Sequence, residues 1–287
     1  MTALYPPIFV FLWATGFIGA KLSAPYSDPL SFLTLRFLIV AALLAMAVLW
    51  WRLPWPNPRA ALNATIAGAL IQGFYLGGIF WAIEHGMPAG VAALIVGLQP
   101  ILTAFLAKPI LGEAISQRHW LGLGVGLVGL VFVLGPKLQF SGFGITPVTI
   151  TACVIGVLAI TIGSVWQKRF GGGLDTRVDG VFQFLAGALV VGIGAAATET
   201  FTFVWAPSLI FALVWLVLVL SIGAITLYLI LLRQGAVSKV AALFYLVPAV
   251  AALMGWFLFG ETLTLMQIIG MAITVAAVAL VSKAKPA

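Results

Sequence analysis

Apolar residues run along this chain in long stretches, and the gaps between them are short and rich in turn formers. A stretch must hold about 20 mostly apolar residues to cross roughly 30 Å of hydrocarbon at 1.5 Å per residue. It must also satisfy its own backbone hydrogen bonds, because lipid offers none. Ten stretches meet this requirement, at 4–22, 30–51, 60–83, 88–107, 118–135, 147–168, 178–197, 208–232, 237–258 and 264–282. The gaps carry Ser23-Ala24-Pro25 with Asp28-Pro29, Pro54-Trp55-Pro56-Asn57-Pro58, Gly86-Met87-Pro88, Gly135-Pro136, Gly171-Gly172-Gly173 and Ala206-Pro207, and no separate soluble domain fits among them. Tyr5-Pro6-Pro7 leads into the first stretch with no basic segment ahead of it, so that stretch reads as an uncleaved span.

The pattern repeats within the chain. Gly86-Met87-Pro88-Ala89-Gly90-Val91-Ala92-Ala93-Leu94 resembles Gly235-Ala236-Val237-Ser238-Lys239-Val240-Ala241-Ala242-Leu243. Downstream, Pro100 matches Pro248, Leu111-Gly112-Glu113 matches Phe259-Gly260-Glu261, and Gly122 matches Gly270. Upstream, Gly16, Lys21 and Asp28 match Gly163, Lys168 and Asp175. The offset is about half the chain, which is five spans. Five is odd, so the second copy enters the membrane from the opposite side. The expected organisation is two inverted five-helix halves, 1–143 and 144–287, in one membrane unit. Inverted halves let one central site face either side alternately, which is a carrier's requirement.

Composition agrees with a membrane solvent. The chain is 63% hydrophobic and 7% charged, against about 25% charged in soluble domains. Its net charge of +7 is scattered singly rather than gathered into a basic stripe with aromatic platforms, which argues against a nucleic-acid partner. The basic residues instead divide by side. Arg52, Arg59, Lys108, Arg118, Lys168, Arg169, Arg177, Arg233, Lys239, Lys283 and Lys285 fall on the side of both termini, and Lys21 and Lys137 on the other. Short positive loops stay in the cytoplasm, so both termini are expected there. The single cysteine, Cys153, lies in an apolar run and permits no disulfide within the chain.

These signatures resemble the EamA-type pattern of the drug/metabolite transporter superfamily. They are Trp13 with Lys21, Gly86 through Pro100 to Gly112-Glu113, and Gly235 through Pro248 to Gly260-Glu261. Within that superfamily the chain looks most like bacterial YddG-type exporters of amino acids. The resemblance implies an all-α integral membrane fold with ten helices around a central cavity lined mainly by the first, third, fourth, sixth, eighth and ninth. The fifth and tenth would be peripheral. Arg36 departs from the repeat, since its mate is Gln183.

All seven acidic residues, Asp28, Glu84, Glu113, Asp175, Asp179, Glu199 and Glu261, fall at or near span ends. An empty midplane argues against carboxylate-based ion coupling and for facilitated diffusion or exchange. Neutral polar and aromatic residues remain as substrate ligands: Trp13, Gln72, Tyr75, Trp81, Gln99, Thr103, Trp166, Tyr228 and Tyr245, with Thr15 and Gln167 beside them. Aromatic faces hold an ammonium or an apolar side chain, and Gln amides bond a carboxylate, so the set suits a neutral or zwitterionic solute. The same residue types also serve as interfacial belts and helix-to-helix ties. On the third span Gln72, Tyr75 and Ile79 are expected on one face, and on the fourth Gln99 and Thr103 on another. Pro100 and Pro248 are expected hinges. Gly122, Gly124, Gly126 and Gly129 are expected at close helix contacts. Arg36 could meet a substrate carboxylate, snorkel, or pair with Asp28, while Glu113 and Glu261 are expected to anchor helix ends. His85 and His119 have no metal-ligand spacing. Neither a cofactor nor a metal is expected, and a monomer in the bilayer with a small solute as partner suffices. An intramembrane enzyme and a channel are the rival readings. Neither a His-Glu-x-x-His or Gly-x-Ser-x-Gly pattern nor a ring of like charge supports them.

Overall fold

The computed structural model describes residues 4–138 and 144–284. Lys285, the side chain of Lys137 and the junction at residue 143 lie outside them. Among the described residues, ten helices are long and apolar enough to span a membrane: α1 Tyr5–Ser23, α2 Pro29–Trp50, α3 Pro58–Glu84, α4 Ala89–Leu111, α5 Gln117–Leu134, α6 Pro147–Phe170, α7 Thr176–Thr198, α8 Pro207–Gln234, α9 Val237–Phe259 and α10 Leu265–Ser282. Each lies within a few residues of an expected stretch. No strand occurs among the described residues, apart from an isolated bridge between Ser27 and Phe203.

The starts follow from local chemistry. Asn57 accepts a bond from the Ala60 amide at 2.8 Å ahead of Pro58, and Thr146 with Thr149 and Thr264 with Gln267 form reciprocal capping boxes. A proline at the first helical position costs nothing there, since its missing N–H would have no partner anyway. The ends of α4 and α9 are copies of one another. Gly112 and Gly260 take left-handed φ of 69° and 66°, and the amides of Glu113 and Glu261 each reach back six residues, to the carbonyls of Ala107 and Gly255 at 3.3 Å. Only glycine adopts that conformation without strain, so the repeated Gly-Glu pair is a helix stop.

The halves interlock with inverted symmetry. The first helix of each half is inserted into the other: α1 packs on α8 and α9, and α6 on α3 and α4. The long pairs α2–α7 and α5–α10 flank this centre. Between α5 and α10 the glycines permit close approach. A Cβ on Gly129 would stand 2.8 Å from Thr274, and one on Gly270 would stand 2.6 Å from the Val133 amide. Gly124 departs from expectation. Nothing lies within 4 Å of its added Cβ, because it faces outward into a groove lined by Trp120, Val128 and Ile273. Gly124→Ala is therefore expected to leave the melting temperature in detergent unchanged or slightly raised, since helix interiors prefer Ala over Gly by about 1 kcal/mol. Gly129→Val is expected to lower it.

Two features of the backbone were not legible in the apolar pattern. α3 winds into a π-helical stretch at Ala69–Leu76, and α8 does the same at Leu216–Ala224, its repeat-related position. The prolines explain a second matched pair. α4 is interrupted after Val96 and resumes at Gln99, and α9 passes through a 3₁₀ turn at Leu243–Tyr245 before Leu246–Phe259. Pro100 and Pro248 each lack an N–H and crowd the carbonyl four residues earlier, Val96 and Phe244, so the regular ladder fails there.

Candidate functional site

Four rings from three helices meet where the halves interlock. Phe9 and Trp13 of α1, Tyr228 of α8 and Phe244 of α9 have all their pairwise centroid distances between 5.1 and 5.8 Å. Phe9 stacks on Tyr228, while Phe244 lies nearly perpendicular to Phe9, Trp13 and Tyr228. Tyr228 is held by a 2.6 Å bond between its hydroxyl and Ser164 of α6. Tyr75 and Tyr245 belong to the same core cluster, and Trp13 packs on both large clusters of the molecule. Phe9, Phe244 and Ser164 were not selected from the sequence. Phe9, one turn before Trp13, and Phe244, beside Tyr245, carried a usable signal.

A second property is shared by five of the sequence-selected residues, and by His119, Gln183 and Arg233. Both side-chain atoms of the Gln72 and Gln99 amides, the Thr103 hydroxyl, the Trp166 indole N–H and the Tyr245 hydroxyl are buried without a partner among the described residues. A buried polar group left unbonded costs about 1–3 kcal/mol, so each of these groups calls for a partner that the described residues do not supply. Gln99 and Thr103 lie one turn apart on α4, as expected.

Other positions differ from expectation. The π-helical turn, with its i→i+5 bonding, parts Gln72 from Ile79. The Gln72 Cβ abuts Gly187 of α7, whereas Ile79 abuts Gly156 of α6. Trp81 stacks on His85 at 3.9 Å and lines an outer groove with Pro147, Thr151 and Ile155, apart from the ring cluster. Trp166 leans on Phe170, one turn on along α6. Thr15 is occupied, donating to the Leu12 carbonyl and accepting from the Trp215 indole at 3.0 Å. Gln167 belongs to a buried polar network. It donates to Asp179 at 2.5 Å, as do Gln183 at 3.1 Å and Arg233 at 3.1 Å.

The two membrane faces are closed differently. On the face bearing Gly112, Glu113 accepts from the Val237 and Ser238 amides at 2.6 and 3.2 Å and from the Ser238 hydroxyl at 2.7 Å, pinning the start of α9. Lys168 donates to the carbonyls of Arg233 and Gly235 at 3.0 and 2.8 Å, pinning the end of α8. The first part of α9 packs against the second part of α4. On the opposite face the mates of these residues meet each other. Lys21 pairs with Glu261 at 2.8 Å and lies over the Phe259 ring at 4.1 Å. There the first part of α4 makes no comparable contact with the second part of α9.

One family model, the EamA-like transporter family, matches residues 3–135 and again residues 147–283. The chain belongs to this family. The model matches the chain twice, and this transporter is accordingly a multi-pass membrane protein that moves small solutes. It is 26% identical over 275 residues to the uncharacterized inner membrane transporter YedA of Escherichia coli (strain K12), spanning 96% of this chain and 88% of that one. It is 27% identical over 289 residues to the uncharacterized transporter YvbV of Bacillus subtilis (strain 168), spanning 98% and 91%. A probable amino-acid metabolite efflux pump of Salmonella typhimurium is 24% identical over 281 residues, spanning 92% and 88%. A solved crystal structure superposes with a TM-score of 0.78 at 25% identity, over 97% of this chain and 95% of that one.

Proposed function

We propose that this EamA-family transporter is an alternating-access carrier of neutral or aromatic amino acids and related metabolites. It works as an exporter, facilitator or exchanger in a bacterial inner membrane with both termini cytoplasmic. The observation that carries the reading is the unequal closure of two faces built from repeated sequence. Glu113 and Lys168 clamp the cytoplasmic face, while Glu261 and Lys21 hold each other at the periplasmic face. Because the halves, 1–143 and 144–287, are copies, the converse state has a ready structure. In it, Glu261 would move to the start of α4 and Lys21 to the end of α3, while Glu113 and Lys168 released their helices. The breaks ahead of Pro100 and Pro248 are the hinges for this motion.

The four-ring cluster and the unbonded Gln72, Gln99, Thr103 and Tyr245 groups support an amphipathic cargo. Rings take its apolar side chain and amides its polar end. The relative named an amino-acid metabolite efflux pump is consistent with that class.

Purified protein in liposomes is expected to take up radiolabelled phenylalanine with saturation and countertransport, which a pore does not give. Trp13→Ala is expected to lower uptake at subsaturating solute about tenfold, the worth of 1.4 kcal/mol, and Trp13→Phe to retain most of it. Uptake equal to empty liposomes for every amino acid, with saturable exchange of another metabolite, would reject the amino-acid class and keep the carrier. Orientation is tested by cysteines introduced after Gly112 and after Gly260, which are expected to react from opposite sides of the membrane.

A further inference from the structure

Among the described residues, Arg36 is the one charged group deep within a span that the transport reading leaves without a task. It lies seven residues after Pro29, roughly 10 Å along α2 at 1.5 Å per residue, and is 3% exposed. Its Nε donates to the Ser221 hydroxyl at 2.9 Å, and its guanidinium stands over the Phe37 ring at 5.5 Å. Its terminal nitrogens find no acceptor among the described residues, yet they are not among the atoms sealed from water. No carboxylate of the described residues lies within ion-pair distance. The two carboxylates at the start of α2 are engaged elsewhere: Asp28 accepts from Thr200 and Thr202, and Glu199 accepts from the α2 amides of Leu30 and Ser31.

The repeat sharpens the anomaly. In the second half, the mate Gln183 sits beside the carboxylate of Asp179, which has Arg233 as its cation. In the first half the position matching Asp179 is Phe32, so the half that carries the extra cation lacks the carboxylate. Ionisable groups within spans are costly and commonly face a water-filled cavity or pair with a partner, and the described residues provide no anion for Arg36. Ser221 lies inside the π-helical stretch of α8, a distortion that recurs at functional sites. Tyr228, a member of the ring cluster, follows seven residues later on the same helix.

We propose that Arg36 and Ser221 form the anion-binding end of the transport site. They receive the carboxylate of an amino acid or other organic acid whose apolar part points toward the rings of Trp13 and Tyr228. This rests on the carrier reading and names the group the cargo must bear. The guanidinium donates from its two terminal nitrogens, the geometry that suits a carboxylate, and the Ser221 hydroxyl remains free to donate while accepting from Nε.

The test uses the full-length protein in liposomes loaded with radiolabelled phenylalanine, with unlabelled compounds outside as exchange partners. Phenylalanine and 3-phenylpropionate are expected to stimulate exchange, and phenylalaninamide and phenethylamine to do so at least tenfold less. Arg36→Gln is expected to raise the KM for both carboxylates at least tenfold and to abolish the preference over the amide. Arg36→Lys is expected to restore part of it, and Ser221→Ala to raise KM several-fold with little change in maximal rate. An Arg36→Gln protein that keeps the wild-type KM and the wild-type preference overturns the proposal. If Arg36→Gln does not fold, the lysine and Ser221 variants carry the same comparison. If wild-type protein moves none of these compounds, the amino-acid reading fails, and Arg36 is judged by thermal stability in detergent instead. There 3-phenylpropionate is expected to raise the wild-type melting temperature above that in equimolar chloride, that of Arg36→Lys by less and that of Arg36→Gln not at all, and no difference between the two salts for the wild type rejects the anion site.

Discussion

Glu113→Ala is expected to shift the protein away from the conformation closed at the Gly112 face, by about thirtyfold in population. The Glu113 carboxylate accepts three bonds from Val237 and Ser238. It does so at the start of a helix, where the backbone amides have no partner of their own and the helix dipole favours a negative charge. Losing a charged cap of this kind costs about 2 kcal/mol, and each 1.4 kcal/mol is tenfold in an equilibrium. Hydrogen exchange at the first amides of α9 should therefore accelerate, with the protein still folded. Glu261→Ala should leave those amides protected, because Glu261 acts at the opposite face, where it pairs with Lys21. Both variants should slow solute exchange, since a carrier must visit both states. If Glu113→Ala only lowers the melting temperature, with no change in the relative accessibility of the two faces, Glu113 is an anchor and not a latch.

That contrast also marks how far the sequence could be read. The ten spans were legible because lipid imposes a length and a composition that 63% apolar residues display openly. The inverted halves were legible because Gly112-Glu113 and Gly260-Glu261 have to be a left-handed stop followed by a carboxylate. What the repeat could not reveal is that one copy of each pair is engaged differently from the other, since identical letters do not say which of two states they stabilise. The π-helical stretches were hidden because a shift from i→i+4 to i→i+5 bonding alters no residue type, and it separated Gln72 from Ile79. Trp81 was indistinguishable by type from Trp13. Only packing against the outer face of α6 sets it apart. Asp179 and Arg233 fell near span ends, as the sequence indicated, yet Asp179 is wholly buried, because Gln167, Gln183 and Arg233 supply its hydrogen bonds in place of water.

Gly68→Leu is expected to yield no folded protein, and Gly68→Ala to be severely destabilised in a way that no second-site trimming repairs. A Cβ on Gly68 would overlap the backbone of Gln183. Backbone cannot rotate aside, so α3 and α7 would have to move apart, at a cost above the about 1–3 kcal/mol usual for overpacking a core. Gly19 supplies the control, because an added Cβ there would stand 2.6 Å from Leu216 Cγ. That obstacle is a side chain. Gly19→Ala should therefore lose stability and Gly19→Ala with Leu216→Ala regain part of it, whereas Gly68→Ala with Gln183→Ala should regain nothing. Melting temperature and monodispersity in detergent report both pairs. Equal rescue of the two would mean that α3 and α7 are not held at backbone contact. The spacing matters for function as well, because Gln72, one turn beyond Gly68, reaches its position against Gly187 only while these two helices touch.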